Sequence, residues 1–256
     1  MYYGINFYTY EPIEIDRRNL SISANRLIFG AAGTGRIFLI KHEILSVLSE
    51  KEDTVFVITA DENYNEIAEK YGKVISVHNE NVSENKISIP HDKRFVVFDL
   101  ANVSRFQWHK AYRLCLETIQ KYTFEESAWI YADEIQHILR DKYVTGLLYD
   151  IFTSEKTHNC IITLSTQAVS NLTSEDIGKH ILMQTNFLTF LSISEDDREI
   201  ILRYFGKLIS ESVLNEYCGS FCCGTGLHFI NNKFIPYKFP YHRLSSCRLP
   251  LKKQEK

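Results

Sequence analysis

Two hydrophobic patterns alternate along the chain. Short runs that are apolar at both odd and even positions, such as "TVFVIT" at 54–59, predict buried parallel strands. Stretches with apolar residues three and four apart, such as residues 37–50, predict helices. The same alternation predicts further strands at 26–29, 73–77, 94–100, 127–134, 159–167 and 186–193, and helices at about 63–70, 104–120, 195–204 and 208–216.

Strands that alternate with helices predict an α/β fold with a mainly parallel sheet and helices on both of its faces. Two stretches depart from this alternation. The polar, turn-rich residues 78–86 predict a loop. Residues 227–237, with Asn231 and Asn232 at the turn, predict a C-terminal β-hairpin.

Composition narrows the class of protein. The chain has 256 residues, 45% hydrophobic and 24% charged, which is typical of one large globular domain. With a net charge of -3, the chain as a whole lacks the excess of positive charge that is typical of nucleic-acid-binding proteins. The apolar runs are too short to span a bilayer, and the first residues lack the pattern of a signal peptide. Six cysteines without a disulfide framework's spacing lead us to expect a reducing, cytoplasmic setting.

A glycine-rich segment follows the first of these predicted strands. It reads GAAGTGRI at 30–37, in which Gly30 and Gly35 have the spacing of the phosphate-binding loop G-x-x-x-x-G-K-[ST]. In such a loop the backbone amides and the start of the next helix cradle a phosphate group. Arg36 stands where that motif has lysine, and Ile37 stands where it has serine or threonine.

Two later strands end in polar residues. Asp133 and Glu134 follow one of them, and Thr166 and Gln167 close another. Carboxylates after a strand are also common as helix caps, so each feature alone is weak evidence for a nucleotide site. Together with the glycine-rich loop, in this order, they match the layout of a P-loop NTPase. In that layout Asp133 holds a metal ion, Glu134 orients the attacking water and Gln167 senses the terminal phosphate.

Four motifs carry a more specific resemblance. The segment Gly35–Ile44 is similar to G-K-S-F-x-x-K-x-E-I, Trp129–Glu134 to W-x-Y-x-D-E, Thr166–Gln167 to a T-Q sensor, and Ser194–Arg198 to S-x-x-D-R. With them, the chain from Tyr2 to Pro240 resembles the ATPase domain of conjugative-transfer (type IV secretion) ATPases, in the HerA/FtsK-like branch of P-loop NTPases.

The resemblance implies a RecA-like fold that binds ATP or ADP, with Mg²⁺ on Asp133 and catalysis by Glu134 and Gln167. It implies a cytoplasmic protein, peripheral at the inner face of the membrane, that meets other subunits of a conjugation or type IV secretion apparatus. It leaves open whether the chain forms a homo-hexamer and whether it contacts DNA. The implied nucleotide-binding residues are Gly30, Ala31, Ala32, Gly33, Thr34, Gly35, Arg36, Ile37 and Phe38.

Four departures from the family weaken the catalytic chemistry. The guanidinium of Arg36 is wider than the ammonium of lysine, and Ile37 removes the hydroxyl that ligates Mg²⁺. The acidic D-P-E-x-E-Y stretch of the family is here 59–64, which keeps one aligned acid at Asp61. Residues 153–156, where the family has arginines suited to a trans finger, contain none. We therefore expect nucleotide binding with very slow hydrolysis.

Two other hypotheses remain open at this point. One is an active, ATP-hydrolysing motor subunit. The other is a structural interaction protein whose empty pocket is closed by Ile37 and Phe38. Along the chain we expect an N-terminal aromatic segment at 1–20 that packs on the domain or contacts another subunit, an NTPase-like domain at 21–241, and a basic tail at 242–256.

Overall fold

A computed structural model describes residues 1–20, 23–90, 92–123, 127–139, 141–153, 160–219 and 224–239. Within these ranges the strands are β1 (Tyr2–Asn6), β2 (Pro12–Glu14), β3 (Arg26–Phe29), β4 (Thr54–Thr59), β5 (Lys73–Ser76), β6 (Phe95–Asp99), β7 (Ala128–Ala132), β8 (Cys160–Thr166), β9 (Phe187–Phe190), β10 (Thr225–Ile230) and β11 (Lys233–Lys238). The α-helices are α1 (Arg36–Glu50), α2 (Asn65–Tyr71), α3 (Asn79–Glu84), α4 (Trp108–Thr123), α5 (Lys142–Thr153), α6 (Val169–Thr173), α7 (Asp176–Gln184), α8 (Glu195–Phe205) and α9 (Glu211–Cys218).

The strands form one sheet in the order β2-β1-β11-β10-β9-β3-β8-β7-β4-β6-β5. From β9 to β5 all neighbours pair in parallel, and from β9 to β2 they pair antiparallel. The prediction of an α/β fold with a mainly parallel sheet is therefore confirmed. None of the helices in the described ranges combines the length and the apolar character needed to cross a membrane.

Two hydrophobic clusters lie on opposite faces of the sheet. In β4, Val55 and Val57 pack into the cluster that includes α1 and α2, while Phe56 and Ile58 pack into the cluster that includes α4 and α5. Successive side chains of a strand point to opposite faces, so a strand covered on both faces is apolar at every position. This packing explains the pattern that predicted the parallel strands.

The predicted C-terminal hairpin is confirmed. Strands β10 and β11 pair antiparallel, with Ile230 opposite Lys233. Asn231 and Asn232 both have positive φ angles, 47° and 65°. A two-residue turn of this kind matches the twist of its strands, and asparagine tolerates it better than most residues.

The prediction of a loop at 78–86 is wrong, because α3 occupies Asn79–Glu84. The helix is capped by its own polar side chains: the His78 amide donates to Asn81 Oδ1 at 2.9 Å. Asn85 ends it in the left-handed region. The helix has no buried residue, so it shows no apolar periodicity in the sequence.

The N-terminal segment contributes two strands that the hydrophobic pattern did not indicate. Strand β1 pairs antiparallel with β11, and β2 forms the edge of the sheet. Tyr3 is buried in the cluster that also contains Phe187. The division of the chain at residues 20 and 241 stays a prediction, and the expected basic tail at 242–256 lies outside the described residues.

A buried ion cluster joins this segment to the centre of the fold. Glu43 of α1, 2% exposed, pairs with both Arg17 and Arg26, and Arg26 Nη1 lies 2.8 Å from Glu43 Oε2. Tyr3 Oη donates to Glu43 Oε1 at 2.8 Å. Burial opposes ionisation of Glu43, but the two arginines outweigh it and lower the pKa of the carboxyl below its ordinary value. The cluster therefore fixes α1 against β3 and the N-terminal segment.

We predict that Glu43→Gln lowers the free energy of unfolding by about 3–5 kcal/mol, because it leaves two buried arginines without a counter-charge. Urea unfolding at pH 7 measures the effect. Glu50→Gln is the matched control, since Glu50 lies on the same helix with its side chain 49% exposed.

The pH dependence has a defined sign. Because the folded pKa of Glu43 is lowered, its stabilising contribution is present above the ordinary value of 4.5 and is lost as pH falls through the folded pKa. The destabilisation by Glu43→Gln should therefore shrink at acid pH. A loss that is equal at pH 7 and at strongly acid pH would contradict the charge argument.

Candidate functional site

The structure brings the three strand-end motifs to one edge of the sheet. Strands β3, β8 and β7 are adjacent and parallel, so their carboxyl ends lie side by side. The glycine-rich loop follows β3, Asp133 and Glu134 follow β7, and Gln167 follows β8. In open α/β sheets this edge is the usual position of a ligand.

The glycine-rich loop is anchored to the strands beneath it. The Gly30 amide donates to the Thr166 carbonyl at 3.3 Å, and the Ala31 amide donates to the Ser192 carbonyl at 3.1 Å. A Cβ atom on Gly30 would lie 2.8 Å from the Leu191 Cβ, so only glycine fits at this position. The backbone of the loop is therefore held by β8 and by the segment after β9.

The loop then turns into α1 in the manner of an anion cradle. Gly35 precedes the helix with a φ of 107°, in the region that favours glycine. Within the described residues, the amides of Gly33, Gly35, Arg36 and Ile37 have no hydrogen-bond acceptor. Free amides at a helix start, together with the helix dipole, attract a phosphate group.

Arg36 points across the site to Glu134. Its side chain is 5% exposed, and Nη2 donates to Glu134 Oε1 in an ion pair. Glu134 Oε2 accepts from Gln136 and, at 2.9 Å, from Gln167 Nε2. Burial opposes ionisation of Glu134, but Arg36 and these amides lower the pKa of its carboxyl. Both oxygens of Glu134 are thus engaged by protein groups.

The backbone at Glu134 is strained. Its φ and ψ angles are 54° and 41°, in the left-handed region. A non-glycine residue held there costs about 1–3 kcal/mol, and such strain clusters at functional sites. The bonds to Arg36, Gln136 and Gln167 hold the residue in this conformation.

Asp133 is more deeply buried, at 1% exposure. Its Oδ1 accepts from Ser165 Oγ and, at 3.0 Å, from the Glu134 amide. The Tyr112 hydroxyl donates to the Asp133 carbonyl at 2.5 Å. Burial raises the pKa of the Asp133 carboxyl, while the bond from Ser165 and the charge of Arg36 oppose that rise.

The residues present do not fit the Mg²⁺ ion that the motif resemblance implies. Mg²⁺ prefers oxygen ligands in octahedral geometry, and Ile37 supplies none. The guanidinium of Arg36 acts electrostatically on Asp133 and would repel a second cation there. In the part of the chain that the structure describes, no group of three or more His, Cys, Asp or Glu side chains is arranged to hold a metal.

The remaining predicted site residues are distributed around the loop. Ala31, Ala32 and Gly33 are exposed, and Thr34, whose hydroxyl donates to the Ala31 carbonyl at 2.7 Å, is half-buried. Phe38 packs edge-on against Phe239, with ring centroids 5.1 Å apart. Residues 154–156, where we expect the loss of an arginine finger, lie outside the described residues.

The sequence did not indicate three side chains that contact the predicted site residues: Tyr112, Gln136 and Ser165. Gln136 and Ser165 lie within three residues of predicted site positions, so their proximity was a usable signal. Tyr112 comes from the buried face of α4. Nothing in the sequence distinguishes it from an ordinary core residue.

Comparison with solved structures shows the same fold in several ATPases. VirB4 of Thermoanaerobacter pseudethanolicus superposes with a TM-score of 0.80 at 14% identity, over 96% of this chain and 98% of that chain. The genome packaging NTPase B204 from Sulfolobus turreted icosahedral virus 2, in complex with ATP-gammaS, gives 0.57 at 19% identity over 84% and 96%. Thermomonospora curvata EccC (ATPases 2 and 3), in complex with a signal sequence peptide, gives 0.61 at 10% identity over 94% of this chain and 40% of that chain.

No protein-family model matches the chain, and no curated protein sequence matches it. At these identities the structural likeness concerns the fold. It confirms the RecA-like P-loop NTPase fold that the motifs predicted, of the kind found in VirB4.

We predict that the Arg36–Glu134 pair contributes a measurable coupling to stability. In a double-mutant cycle of Arg36→Gln and Glu134→Gln, the coupling should be about 1–3 kcal/mol, because Arg36 is buried. Urea unfolding of the parent, the two single variants and the double variant gives the value. The exposed pair Lys179–Asp176, treated in the same way, should show no measurable coupling. Additive effects at Arg36 and Glu134 would contradict the contact.

Proposed function

We propose that the chain is a nucleotide-binding, hydrolysis-deficient ATPase-like subunit of a conjugative DNA-transfer or secretion machine. The observation that carries this proposal is the ion pair between Arg36 and Glu134 beside a loop whose backbone keeps the shape of a phosphate cradle. The cradle supports binding, and the ion pair occupies the residue that would orient water.

Binding of ATP or ADP rests on the backbone of the loop. The amides of Gly33, Gly35, Arg36 and Ile37, which have no acceptor within the described residues, and the N-terminus of α1 supply an anion site without any lysine. The B204 structure, which shares the fold, holds ATP-gammaS. Since the residues do not fit Mg²⁺, binding should not require the metal.

We expect slow turnover because the side chains at positions 134 and 37 are not available for the catalytic roles that the motif gives them. Glu134, the implied water-orienting residue, is engaged by Arg36, Gln136 and Gln167. Ile37 leaves the metal without its hydroxyl ligand. Each lost interaction removes several kcal/mol of stabilisation from a transition state that depends on positioned charges.

The proposed role as a subunit of a DNA-transfer or secretion machine rests on the motif resemblance and on the structural neighbours. VirB4 shares the fold over nearly the whole chain, and EccC was solved with a signal sequence peptide. We place the subunit at the cytoplasmic face of the membrane, within a homo-hexamer or beside other subunits of the apparatus. Contact with DNA belongs to the same proposal.

A second candidate function is a structural subunit with a closed, empty pocket. The contact of Arg36 with Glu134 across the site favours it, because a phosphate group must compete with that carboxylate for the guanidinium. The same contact distinguishes the two candidates experimentally.

Calorimetry with ATP and ADP, with and without Mg²⁺, tests the proposal. We expect affinity tighter than ~100 μM, or about -5.5 kcal/mol, that does not depend on Mg²⁺. Glu134→Gln should tighten binding by about tenfold, because it frees Arg36 and removes a negative charge beside the phosphates. Glu62→Gln removes an exposed charge near the site without touching Arg36 and serves as the control.

A sensitive phosphate-release assay completes this test. We expect turnover of the parent protein to match that of Glu134→Gln. Mg²⁺-dependent turnover that disappears in Glu134→Gln would establish an active motor instead. If neither ATP nor ADP binds to the parent or to Glu134→Gln, the structural candidate is the correct one.

Restoring the motif should restore metal dependence. In Arg36→Lys with Ile37→Ser, the ammonium can reach between the phosphates and the hydroxyl can ligate Mg²⁺, so Mg·ATP should bind more tightly than ATP alone. Arg36→Lys without the second change is the control, because it still lacks the metal ligand. Hydrolysis should recover less than binding, since Asn63 still stands in place of an acid. If the double variant gains no Mg²⁺ dependence, the loop backbone is not the cradle we describe.

A further inference from the structure

Three buried polar atoms of the candidate site have no hydrogen-bond partner within the described residues: Tyr64 Oη, Arg36 Nη1 and Asp133 Oδ2. Their side chains are 0%, 5% and 1% exposed. Buried polar groups in native proteins are nearly always paired, so three unpaired atoms at one site indicate a ligand or ordered water. The mechanism implied for Asp133 and Glu134 uses no tyrosine.

Strand order and hydrogen bonds bring these three residues to the same end of the sheet: Arg36 pairs with Glu134, and the Glu134 amide donates to Asp133 Oδ1. The Asp133 amide donates to the Ile58 carbonyl at 3.2 Å, which joins the end of β7 to the end of β4. Tyr64 is the last residue of the short 3-10 turn that follows β4. Burial raises the pKa of the Tyr64 phenol, the charge of Asp133 raises it further, and the charge of Arg36 lowers it.

The atoms offer a defined set of hydrogen-bonding groups. Arg36 Nη1 and Tyr64 Oη are donors, and Asp133 Oδ2 is an acceptor. A phosphate group that carries one proton matches all three, because its oxygens accept two bonds and its P–OH donates the third. A sulfate ion has the same shape but no proton at neutral pH, so it leaves Asp133 Oδ2 facing an anionic oxygen.

We propose that Tyr64, Arg36 and Asp133 form a socket for a monoprotonated phosphate group, in which Tyr64 donates a hydrogen bond and Asp133 accepts one. The group is either the terminal phosphate of a nucleotide, in which case the socket rests on the proposed function, or free inorganic phosphate. Tyr64 is then a binding residue that discriminates phosphate from sulfate.

The negative charges around the socket favour a phosphate group that carries a proton. Asp61 and Asp133 both act on the Tyr64 phenol as negative charges, and Glu134 adds another beside Arg36. When the phosphate group shares its proton with Asp133, a hydrogen bond replaces the repulsion between the phosphate and the carboxylate. We therefore expect weak binding of any dianion that has no proton to share.

Calorimetry at pH 7 and fixed ionic strength, with inorganic phosphate and with sulfate, tests the socket. Phosphate should bind the parent protein about tenfold more tightly than sulfate, and Tyr64→Phe should lower the phosphate affinity by about tenfold. Tyr131→Phe is the matched control, because its hydroxyl is also buried and unpaired but lies near Glu43. That control should leave the phosphate affinity unchanged.

Asp133→Asn tests the socket independently if the Tyr64→Phe variant does not fold. Its amide can keep an oxygen towards Ser165 and present an N–H group to the socket, so the preference for phosphate over sulfate should disappear. Equal affinities for the two anions in the parent, no phosphate binding, or an unchanged preference in a folded Tyr64→Phe or Asp133→Asn would overturn the proposal and assign the three atoms to ordered water.

Nucleotides separate the two sources of the phosphate. A loss of ATP affinity in Tyr64→Phe, with ADP affinity unchanged, assigns the socket to the terminal phosphate of ATP. If neither nucleotide binds the parent but the preference for phosphate remains, the proposed function fails and the socket stands. If nucleotides bind but phosphate and sulfate do so equally, the socket fails and the proposed function stands.

Discussion

Glu43 is ionised inside the protein, and its two neutralising arginines come from distant parts of the chain. Arg17 lies in the N-terminal segment and Arg26 begins β3, while Glu43 is in the middle of α1. A buried carboxylate with only one of these partners, or none, would be costly. Both arginines can therefore reach Glu43 only when α1 lies across β3 with the N-terminal segment beside it. That arrangement sets where the glycine-rich loop leaves the sheet and which way α1 points its first turn.

Arg36, the first residue of the same helix, forms a second arginine–glutamate pair with Glu134, and the two pairs differ in exposure. Glu43 is 2% exposed, whereas the side chain of Glu134 is 25% exposed. A pair that water and ligands can reach is open to competition, and a fully buried pair is not. The cluster around Glu43 therefore serves the architecture, whereas solvent can reach the Glu134 side of the Arg36–Glu134 pair.

Arg36 and Ile37 give the glycine-rich loop side chains that differ from those of the G-x-x-x-x-G-K-[ST] motif, while its glycines keep the spacing of that motif. Gly30 lies against Leu191, and Gly35 turns the chain into α1. A lysine would extend towards bound phosphates, but the guanidinium of Arg36 spans the site and holds Glu134. The Arg36 guanidinium thus places a positive charge beside Glu134, and within the described residues Tyr64 and Asp133 each have a buried polar atom without a hydrogen-bond partner.

The sequence by itself determined the parallel strands, the glycine-rich loop, the strand-end carboxylates and the Asn231–Asn232 turn, because each depends on neighbours within a few residues. It did not reveal α3, which has no fully buried residue, or β1, whose pairing with β11 gives no periodic signal. The contact of Arg36 with Glu134 joins residues 98 positions apart. Asp133 likewise lies beside the end of β4, the strand that Tyr64 follows, only because β4 and β7 are neighbours in the sheet. Which polar atoms face one another across a site is set by the order and register of strands, and those depend on the packing of the whole chain.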